Sequence, residues 1–294
     1  MIEHEQVLRD KELNRRLFEE GYVTLPYLNE GEVQVLKKLF WEHHTQEEVK
    51  GLYVSSHYKS KEIGKLLSDS VHSIFKEPNE RHIENGMTLG GTFISKPGNQ
   101  TETLHPHQDW SIVDESKFRS FTIWVPLSDV DENSGCIYVL PKSNNTMRGY
   151  RHLTIPSVFG QIYDAVWQHM LPIKLKAGEA IIFDHAIGHG SKPNKSDNIR
   201  IAATHSLISK DPDMRFYWNN NGTVEEFVGE NDYYTTEMAK TGPGHLRKIR
   251  DIDFNIHQFT EEEFYTLADV EPPKPEIELS EDRGMIKWFK KIFN

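Results

Sequence analysis

Between residues 86 and 207 the sequence is a succession of short apolar runs separated by turns rich in Gly, Pro and Asn. Short runs with alternating apolar side chains are typical of β-strands. Several such strands in series favour a β-sandwich or a jelly roll. The predicted strands cover residues 87–96, 118–127, 136–140, 173–175, 180–183 and 199–207.

Three helices are predicted before this block, over residues 7–20, from the cap Asn29 to about His44, and over residues 60–76. Asn29 with Glu32 three residues later is the pattern of a capping box. Helices followed by strands indicate an α+β order, or a β-barrel with a helical jacket. The side chains predicted to face the core from the second and third helices are Val33, Val35, Leu36, Leu39, Phe40, Ile63, Leu66, Leu67, Val71, Ile74 and Phe75.

The composition is that of an ordinary globular protein, with 37% hydrophobic and 27% charged residues in a chain of 294. The net charge of −11 argues against binding to nucleic acid, which requires a basic surface. The single cysteine, Cys136, excludes an internal disulfide and a cysteine-based zinc site, and this suits a reducing cytoplasm. The polar N-terminus is unlike a signal peptide, and no window of about 18 residues is apolar enough to span a membrane. These features predict a cytoplasmic protein.

Within the strand block, His107 and Asp109 place an imidazole and a carboxylate two residues apart. On a β-strand such residues point to the same face, so they are predicted to form two corners of a metal site. The third corner requires another ligand, and both His185 and His189 follow a predicted strand. Glycines on either side of His189 argue against a helical pair, so only one of the two is expected to bind, and His189 has the better context.

Arg200 begins the last predicted strand, and the polar turn over residues 192–198 predicts a hairpin that returns it to the neighbourhood of His189. Its guanidinium group would there offer a planar clamp for a carboxylate. Two histidines and one carboxylate leave three coordination positions open, which favours non-haem Fe(II) and oxygen chemistry over tetrahedral zinc. A metal beside a carboxylate clamp suits a chelating keto acid.

Several further stretches accompany these residues, namely Ile94-Ser95-Lys96-Pro97, His105 to Asp109, Trp124, Asn133 to Pro141, Gly178 to Phe183, His189-Gly190-Ser191 and Arg200. In this combination, and over about residues 10–208, the sequence resembles the phytanoyl-CoA dioxygenase family of Fe(II)/2-oxoglutarate oxygenases. The resemblance implies a double-stranded β-helix, which is a cupin-like jelly roll with helices on one side.

The resemblance also implies roles for individual residues. It assigns the Fe(II) ligands to His107, Asp109 and His189. It assigns the contacts to the co-substrate 2-oxoglutarate to Arg200, Ser191, Trp124 and Thr92. Ser191 as a turn cap and Trp124 as a plain core residue stay open as alternatives. The implied reaction consumes O2, releases succinate and CO2, and hydroxylates the substrate, because related halogenases replace the carboxylate ligand that is intact here.

The predicted oxygenase domain covers residues 1–270, with an insertion at about 211–245 that is either a lid or a packed surface excursion. The substrate is expected to be a small molecule or a lipid-like compound, and an amino acid, a lipid tail and a natural-product scaffold are alternatives. The acidic composition argues weakly against an acyl-CoA, whose phosphates are usually met by basic residues. The alternative function is a non-catalytic cupin-like module that binds a metal or ligand.

Residues 271–284 are predicted to be a linker, and residues 285–294 a short amphipathic helix with an apolar face and three lysines. This segment would rest on an anionic membrane, dock on its own domain or dock on a partner chain.

Deletion of residues 283–294 tests the membrane interpretation. We expect the truncated protein to lose binding to vesicles that contain phosphatidylserine, because apolar contact and lysine charge both leave with the segment. Substitution of Lys287, Lys290 and Lys291 by Glu should reduce binding in the same direction. Equal partitioning of all three proteins in a sedimentation assay would rule out the membrane contact.

Overall fold

The computed structural model describes residues 6–57, 60–210, 212–230 and 241–273. The C-terminal segment 285–294, most of the predicted linker and part of the predicted insertion lie outside these residues. The helices are α1 Lys11–Glu20, α2 Glu30–His43, α3 Lys61–His82, α4 Ser143–Thr146, α5 Tyr163–His169 and α6 Glu261–Ala268, with a 3-10 turn at Ser55–His57. The first eight strands are β1 Tyr22–Pro26, β2 Tyr53–Val54, β3 Gly86–Lys96, β4 Leu104–His107, β5 Ser120–Pro126, β6 Ile137–Leu140, β7 Leu171–Ile173 and β8 Glu179–Asp184. The remaining strands are β9 Gly188–Ser191, β10 Arg200–Ser209, β11 Arg215–Asn220, β12 Thr223–Val228 and β13 Lys248–Ile252.

Two antiparallel sheets form the body of the fold. One has six strands in the order β1-β8-β5-β10-β3-β2, and the other has four in the order β4-β9-β6-β7. Neighbouring strands come from distant parts of the chain, as expected for a jelly roll. The prediction of a mainly β, double-stranded β-helix fold is therefore confirmed.

The six-stranded sheet is buried on both of its faces. One face packs against α1, α2 and α3 through a large apolar cluster that includes Phe40, Phe75, Phe93, Phe121 and Ile123. The other face meets the four-stranded sheet through a second cluster that includes Ile94, Trp124, Val139, Ile181 and Ala202. Because side chains alternate along a strand, neighbours such as Ile123 and Trp124 belong to different clusters. The helical jacket thus covers one face and leaves the other to the second sheet.

The capping box predicted at the start of α2 is present in the structure. The Asn29 side chain accepts from the Glu32 amide while the Glu32 side chain accepts from the Asn29 amide, so the predicted capping box is confirmed.

Two predicted core positions are wrong: Val35 is 55% exposed and Leu66 is 47% exposed. Each helix turns only a narrow stripe toward the sheet, and these residues fall at its margin.

The third helix also continues six residues beyond its predicted end at 76. Tertiary contacts with Tyr27 hold this extra length. The Tyr27 ring stacks on His82 with centroids 5.4 Å apart, and Arg81 donates a hydrogen bond to the Tyr27 carbonyl at 3.1 Å. Packing therefore sets the end of this helix, which no cap residue in the sequence marks.

A third, three-stranded sheet, β11-β12-β13, begins in the region predicted as an insertion. Its middle strand carries Glu226, a buried carboxylate that accepts from Arg215 at 2.9 Å and from Arg250 at 2.6 Å. An antiparallel bridge between Val113 and Met214 joins the start of this sheet to the body. The role of the segment as a lid stays a prediction. Among the described residues, no helix combines the length and the apolar character that crossing a membrane requires.

Acid should destabilise this fold through His205, which is 2% exposed and stacks on Phe75 with centroids 4.8 Å apart. Burial, and then repulsion from His72, lower the pKa of His205 to about 3. His205 therefore binds a proton near pH 6.5 in the unfolded chain but stays neutral in the folded chain down to about pH 3. The free energy of unfolding consequently falls as the pH drops from 6.5 toward 3. At pH 5 the protonation of His205 in the unfolded chain lowers the free energy of unfolding by about 2 kcal/mol.

Urea unfolding at pH 7 and pH 5 checks this expectation. Replacing His205 by Phe keeps the ring contact and removes the titration, so the variant should lose about 2 kcal/mol less than the wild type between the two pH values. An equal loss in both proteins would show that His205 does not couple folding to pH.

Candidate active site

Three side chains with metal-binding groups meet between the two main sheets. His107 ends β4 and pairs directly with His189 on β9, and the two imidazole centroids are 4.3 Å apart. One ligand atom each from His107, Asp109 and His189 lie within 4.8 Å of one another. The three predicted ligands are therefore brought together in a cluster small enough to surround one ion.

The route by which Asp109 reaches the cluster differs from the prediction. β4 ends at His107, so Asp109 lies in the irregular segment after the strand and does not share a strand face with His107. Gln108 holds this segment by donating to the carbonyls of Met147 and Ala186. Arg151 donates from Nε to the Asp109 carbonyl at 2.8 Å. Side-chain hydrogen bonds, made by Gln108 within the segment and by Arg151 from another loop, thus replace the ladder hydrogen bonds that a strand would have supplied.

The hydrogen bonds of the cluster leave one atom of each side chain facing its centre. His107 Nδ1 lies 2.8 Å from the His105 carbonyl, and His189 Nδ1 lies 3.1 Å from the Ile187 carbonyl. A ring that donates from Nδ1 to a carbonyl presents Nε2 as its lone pair, which is the form that binds a metal.

The carboxylate of Asp109 is oriented in the same way. The Thr122 hydroxyl donates to Oδ2 of Asp109 at 2.8 Å, while Oδ1 lies 3.6 Å from Nε2 of His189. One carboxylate oxygen is thus engaged by Thr122, and the other is directed at the histidines. This arrangement favours ligation through a single oxygen.

The protonation states also suit a metal. Burial and the neighbouring His189 lower the pKa of His107 to about 4. Burial alone would raise the pKa of Asp109, but His189, His185, His107 and the Thr122 hydrogen bond outweigh it and bring the value to about 2. At neutral pH the cluster therefore offers a neutral His107 and an ionised Asp109, the states that ligate a divalent cation.

A second polar region lies on the inner face of the six-stranded sheet, which is the face that meets the four-stranded sheet. Arg200 is 4% exposed, and its guanidinium lies over the Trp124 ring at 5.3 Å from the ring centroid. Its Nε atom is buried and has no hydrogen-bond partner within the described chain. Burial lowers the pKa of Arg200 to about 10, so the group stays charged at neutral pH. A buried arginine with free donor capacity is suited to an anion that enters from outside.

The other two residues predicted at the co-substrate have different surroundings. Ser191 is buried at the end of β9 and accepts a hydrogen bond from Lys96 at 2.8 Å, which argues against a role as a turn cap. The Thr92 hydroxyl contacts Ser55 at 2.9 Å and accepts from the Ser56 amide at 3.1 Å. Thr92 is therefore held by the segment before α3, although it shares the inner sheet face with Trp124.

The predicted hairpin between His189 and Arg200 is wrong. β9 belongs to the four-stranded sheet and β10 to the six-stranded sheet, so the chain crosses from one layer to the other. Asn194 stabilises this crossing by donating to the carbonyls of Lys96 and Asn198. Arg200 and Ser191 consequently approach the space between the sheets from opposite layers.

The remaining candidate histidines lie outside the cluster of ligand atoms. His105 stacks on Tyr163 with centroids 4.5 Å apart, and His185 Nδ1 lies 3.2 Å from the Trp110 carbonyl. The sequence analysis did not identify Thr122 and Arg151, which hold Asp109, or the buried ammonium group of Lys96, which contacts Ser191. Thr122 could have been found, because it precedes Trp124 by two residues on one strand. Arg151 lies in an irregular loop, and no pattern in the sequence marks it.

Jelly-roll proteins that carry two histidines and one carboxylate with open coordination positions form the class of non-haem iron oxygenases. The sequence matches the Phytanoyl-CoA dioxygenase (PhyH) family over residues 18–202, so the chain belongs to this family. The predicted family is thereby confirmed, and the cluster is compatible with Fe(II).

Comparison with solved structures supports the same fold. The non-heme alpha ketoglutarate dependent carbocyclase SnoK from nogalamycin biosynthesis matches with a TM-score of 0.54 and 20% identity, over 82% of this chain and 94% of that chain. EvdO2 from Micromonospora carbonacea var. aurantiaca, complexed with 2-oxoglutarate, matches with a TM-score of 0.49 and 20% identity, over 71% and 94% of the two chains. The likeness to SnoK shows a shared fold. No protein with a curated description matches the sequence.

Substitution of the cluster tests its capacity for metal. We expect His107→Ala, Asp109→Ala and His189→Ala each to abolish tight binding of Fe(II) or Mn(II), because each removes one of three ligands. Thr122→Val should weaken binding by about 10- to 100-fold, since it frees the carboxylate to rotate. Anaerobic titration calorimetry measures both effects.

His105→Ala is the matched control, because its ring points away and only its backbone carbonyl meets His107. This variant should bind metal like the wild type. Equal metal affinity in the wild type and in the three ligand variants would show that the cluster is not a metal site.

Proposed function

We propose that the protein is an Fe(II)- and 2-oxoglutarate-dependent dioxygenase that hydroxylates an unactivated C–H bond of a small-molecule or lipid-like substrate and releases succinate and CO2. The observation that carries the proposal is the pairing of the ligand cluster with a buried, charged Arg200 on the inner sheet face. An ion with open positions and a nearby cation together suit a dicarboxylic keto acid, which chelates through one end and needs a counter-charge at the other. Membership of the dioxygenase family agrees with this.

Iron bound here would activate O2. The protein would position the co-substrate and the substrate and shield the reaction from water. His107, Asp109 and His189 would hold the ion. Arg200 would pair with the far carboxylate of 2-oxoglutarate, with Ser191 as a second donor. Trp124 would hold the guanidinium in place through the contact between its ring and Arg200.

Hydroxylation is preferred over halogenation because Asp109 is present and held by Thr122. A carboxylate in this position occupies the site that a halide would need. SnoK is described as a non-heme alpha ketoglutarate dependent carbocyclase, but at 20% identity its likeness to this chain extends to the fold alone. We keep hydroxylation as the proposal, since no residue described here favours ring closure.

The proposed partners follow from composition and from the site. A small-molecule or lipid-like substrate is proposed because the ligand cluster lies between two sheets, whereas a net charge of −11 disfavours nucleic acid. A cytoplasmic location suits the single, buried cysteine. Membrane contact through residues 285–294 stays a prediction from the sequence.

Turnover without a primary substrate tests the proposal. With Fe(II), ascorbate, O2 and 2-oxoglutarate, we expect the wild type to release succinate slowly, and His189→Ala to release none. Arg200→Ala should raise the KM for 2-oxoglutarate by about 30-fold or more, because truncating one partner of a buried charge pair typically costs 2 kcal/mol or more. Chromatographic assay of succinate measures both.

His105→Ala again serves as the control and should keep wild-type turnover. Metal binding by the wild type without succinate release, and without 2-oxoglutarate binding in calorimetry, would contradict the proposal. That outcome would instead support a non-catalytic module that binds metal.

A further inference from the structure

Lys96 is a charged side chain buried between the two sheets that the proposed function has not used. It is 2% exposed, although lysine is almost never fully buried without a partner. It ends β3 and lies directly opposite Arg200 on β10. Residues directly opposite each other in an antiparallel pair share a face of the sheet, so both cations project toward the same space.

Every proton of the Lys96 ammonium group is already engaged. Nζ donates to the Ser191 carbonyl at 3.2 Å, to the Ser191 hydroxyl at 2.8 Å and to the Lys192 carbonyl at 2.8 Å. An ammonium group has three protons, so none remains for a ligand. Lys96 can therefore act on a bound molecule only through its charge and through Ser191.

The contact with Lys96 determines what the Ser191 hydroxyl can do. A hydroxyl has one proton and two acceptor sites. Because one acceptor site takes the Lys96 proton, the proton of Ser191 is free to donate to another group. Ser191 lies on the layer that faces Arg200, so a carboxylate between them would receive a hydrogen bond from each.

The charges point to the same kind of ligand. Within the described chain, no carboxylate forms an ion pair with Lys96 or Arg200, and the three acceptors of Lys96 are neutral oxygens. Burial, followed by repulsion from Arg200, lowers the pKa of Lys96 to about 8, and the attraction of the exposed Glu102 only partly opposes them. Two neighbouring buried cations are costly alone, and an enclosed anion would offset that cost.

We propose that Lys96 is a positioning residue of the co-substrate pocket, which fixes the Ser191 hydroxyl as a donor and adds a second positive charge beside Arg200, so that the pocket selects keto acids that carry a distal carboxylate. This inference rests on the proposed function, because it takes 2-oxoglutarate to be the ligand. It adds a residue and a basis for selectivity to that function.

Selectivity between two keto acids tests the inference. The probes are 2-oxoglutarate and 2-oxopentanoate, which has a methyl group in place of the distal carboxylate. They are titrated anaerobically into the full-length protein loaded with Mn(II). We expect Lys96→Met to raise the Kd for 2-oxoglutarate by about tenfold or more and to leave the Kd for 2-oxopentanoate within about twofold. A residue needed only for folding would change both constants alike.

A double-mutant cycle separates action through Ser191 from a general effect of charge. Ser191→Ala should weaken 2-oxoglutarate binding, and adding it to Lys96→Met should cost less than the sum of the two single effects, because Lys96 acts partly through Ser191. Lys96→Gln retains hydrogen bonding without the charge and provides a second readout if Lys96→Met fails to fold. Lys96→Gln should also lose selectivity for the dicarboxylate.

The outcomes distinguish the two levels of the account. If the wild type binds 2-oxoglutarate and the Lys96 variants keep its selectivity, the inference is overturned while the proposed function stands. If the loaded wild type binds neither keto acid, the proposed function fails and the inference fails with it. Manganese affinity, measured separately, should be equal in the wild type and the Lys96 variants, since Lys96 contacts no ligand of the cluster.

Discussion

The antiparallel pairing of β4 with β9 is the interaction on which the candidate site depends. It sets His107 directly opposite His189, and side chains in such a pair are close enough for both imidazoles to reach one ion. A slip of one residue would turn one imidazole to the other face of the sheet. The third group, Asp109, is held by Thr122 from the other sheet, so the cluster also joins the two layers. Register and layer packing together define the site.

The space between the sheets combines features that a stable core normally avoids. It contains two buried cations, Lys96 and Arg200, beside apolar side chains, and an ionised Asp109 whose side chain is 31% exposed. The larger apolar cluster between the six-stranded sheet and the helices consists, within the described chain, of hydrophobic side chains and contains no charged group. The helical jacket therefore stabilises the fold on one face, and this leaves the other face free to carry charge for binding. Such a division explains why the residues of the site lie on one side of strands whose other side is mostly apolar, with Ser95 and His205 as buried polar exceptions.

The sequence allowed the jelly roll to be predicted, because strand alternation is a local pattern. It also allowed the three cluster residues to be predicted, because His107 and Asp109 are two residues apart and His189 stands between glycines in a stretch that carries the family resemblance. The placement of Asp109 beyond β4 could not be predicted, since the contacts that hold it come from Arg151 and Thr122. The hairpin to Arg200 was wrong for a related reason: a polar turn looks the same whether it joins two strands of one sheet or crosses between two. Lys96 was overlooked as a buried cation because a lysine at the end of a predicted strand is ordinarily exposed.

Isotope transfer tests the central claim most directly, namely that this chain couples O2 to the oxidation of 2-oxoglutarate. The Fe(II)-loaded protein is allowed to turn over 2-oxoglutarate under dioxygen labelled with oxygen-18, and the succinate is analysed by mass spectrometry. The account predicts one labelled oxygen atom in each succinate, because decarboxylation leaves a carboxylate that takes one atom from O2. Succinate without the label, or no succinate from a protein that has bound metal at His107, Asp109 and His189, would contradict it.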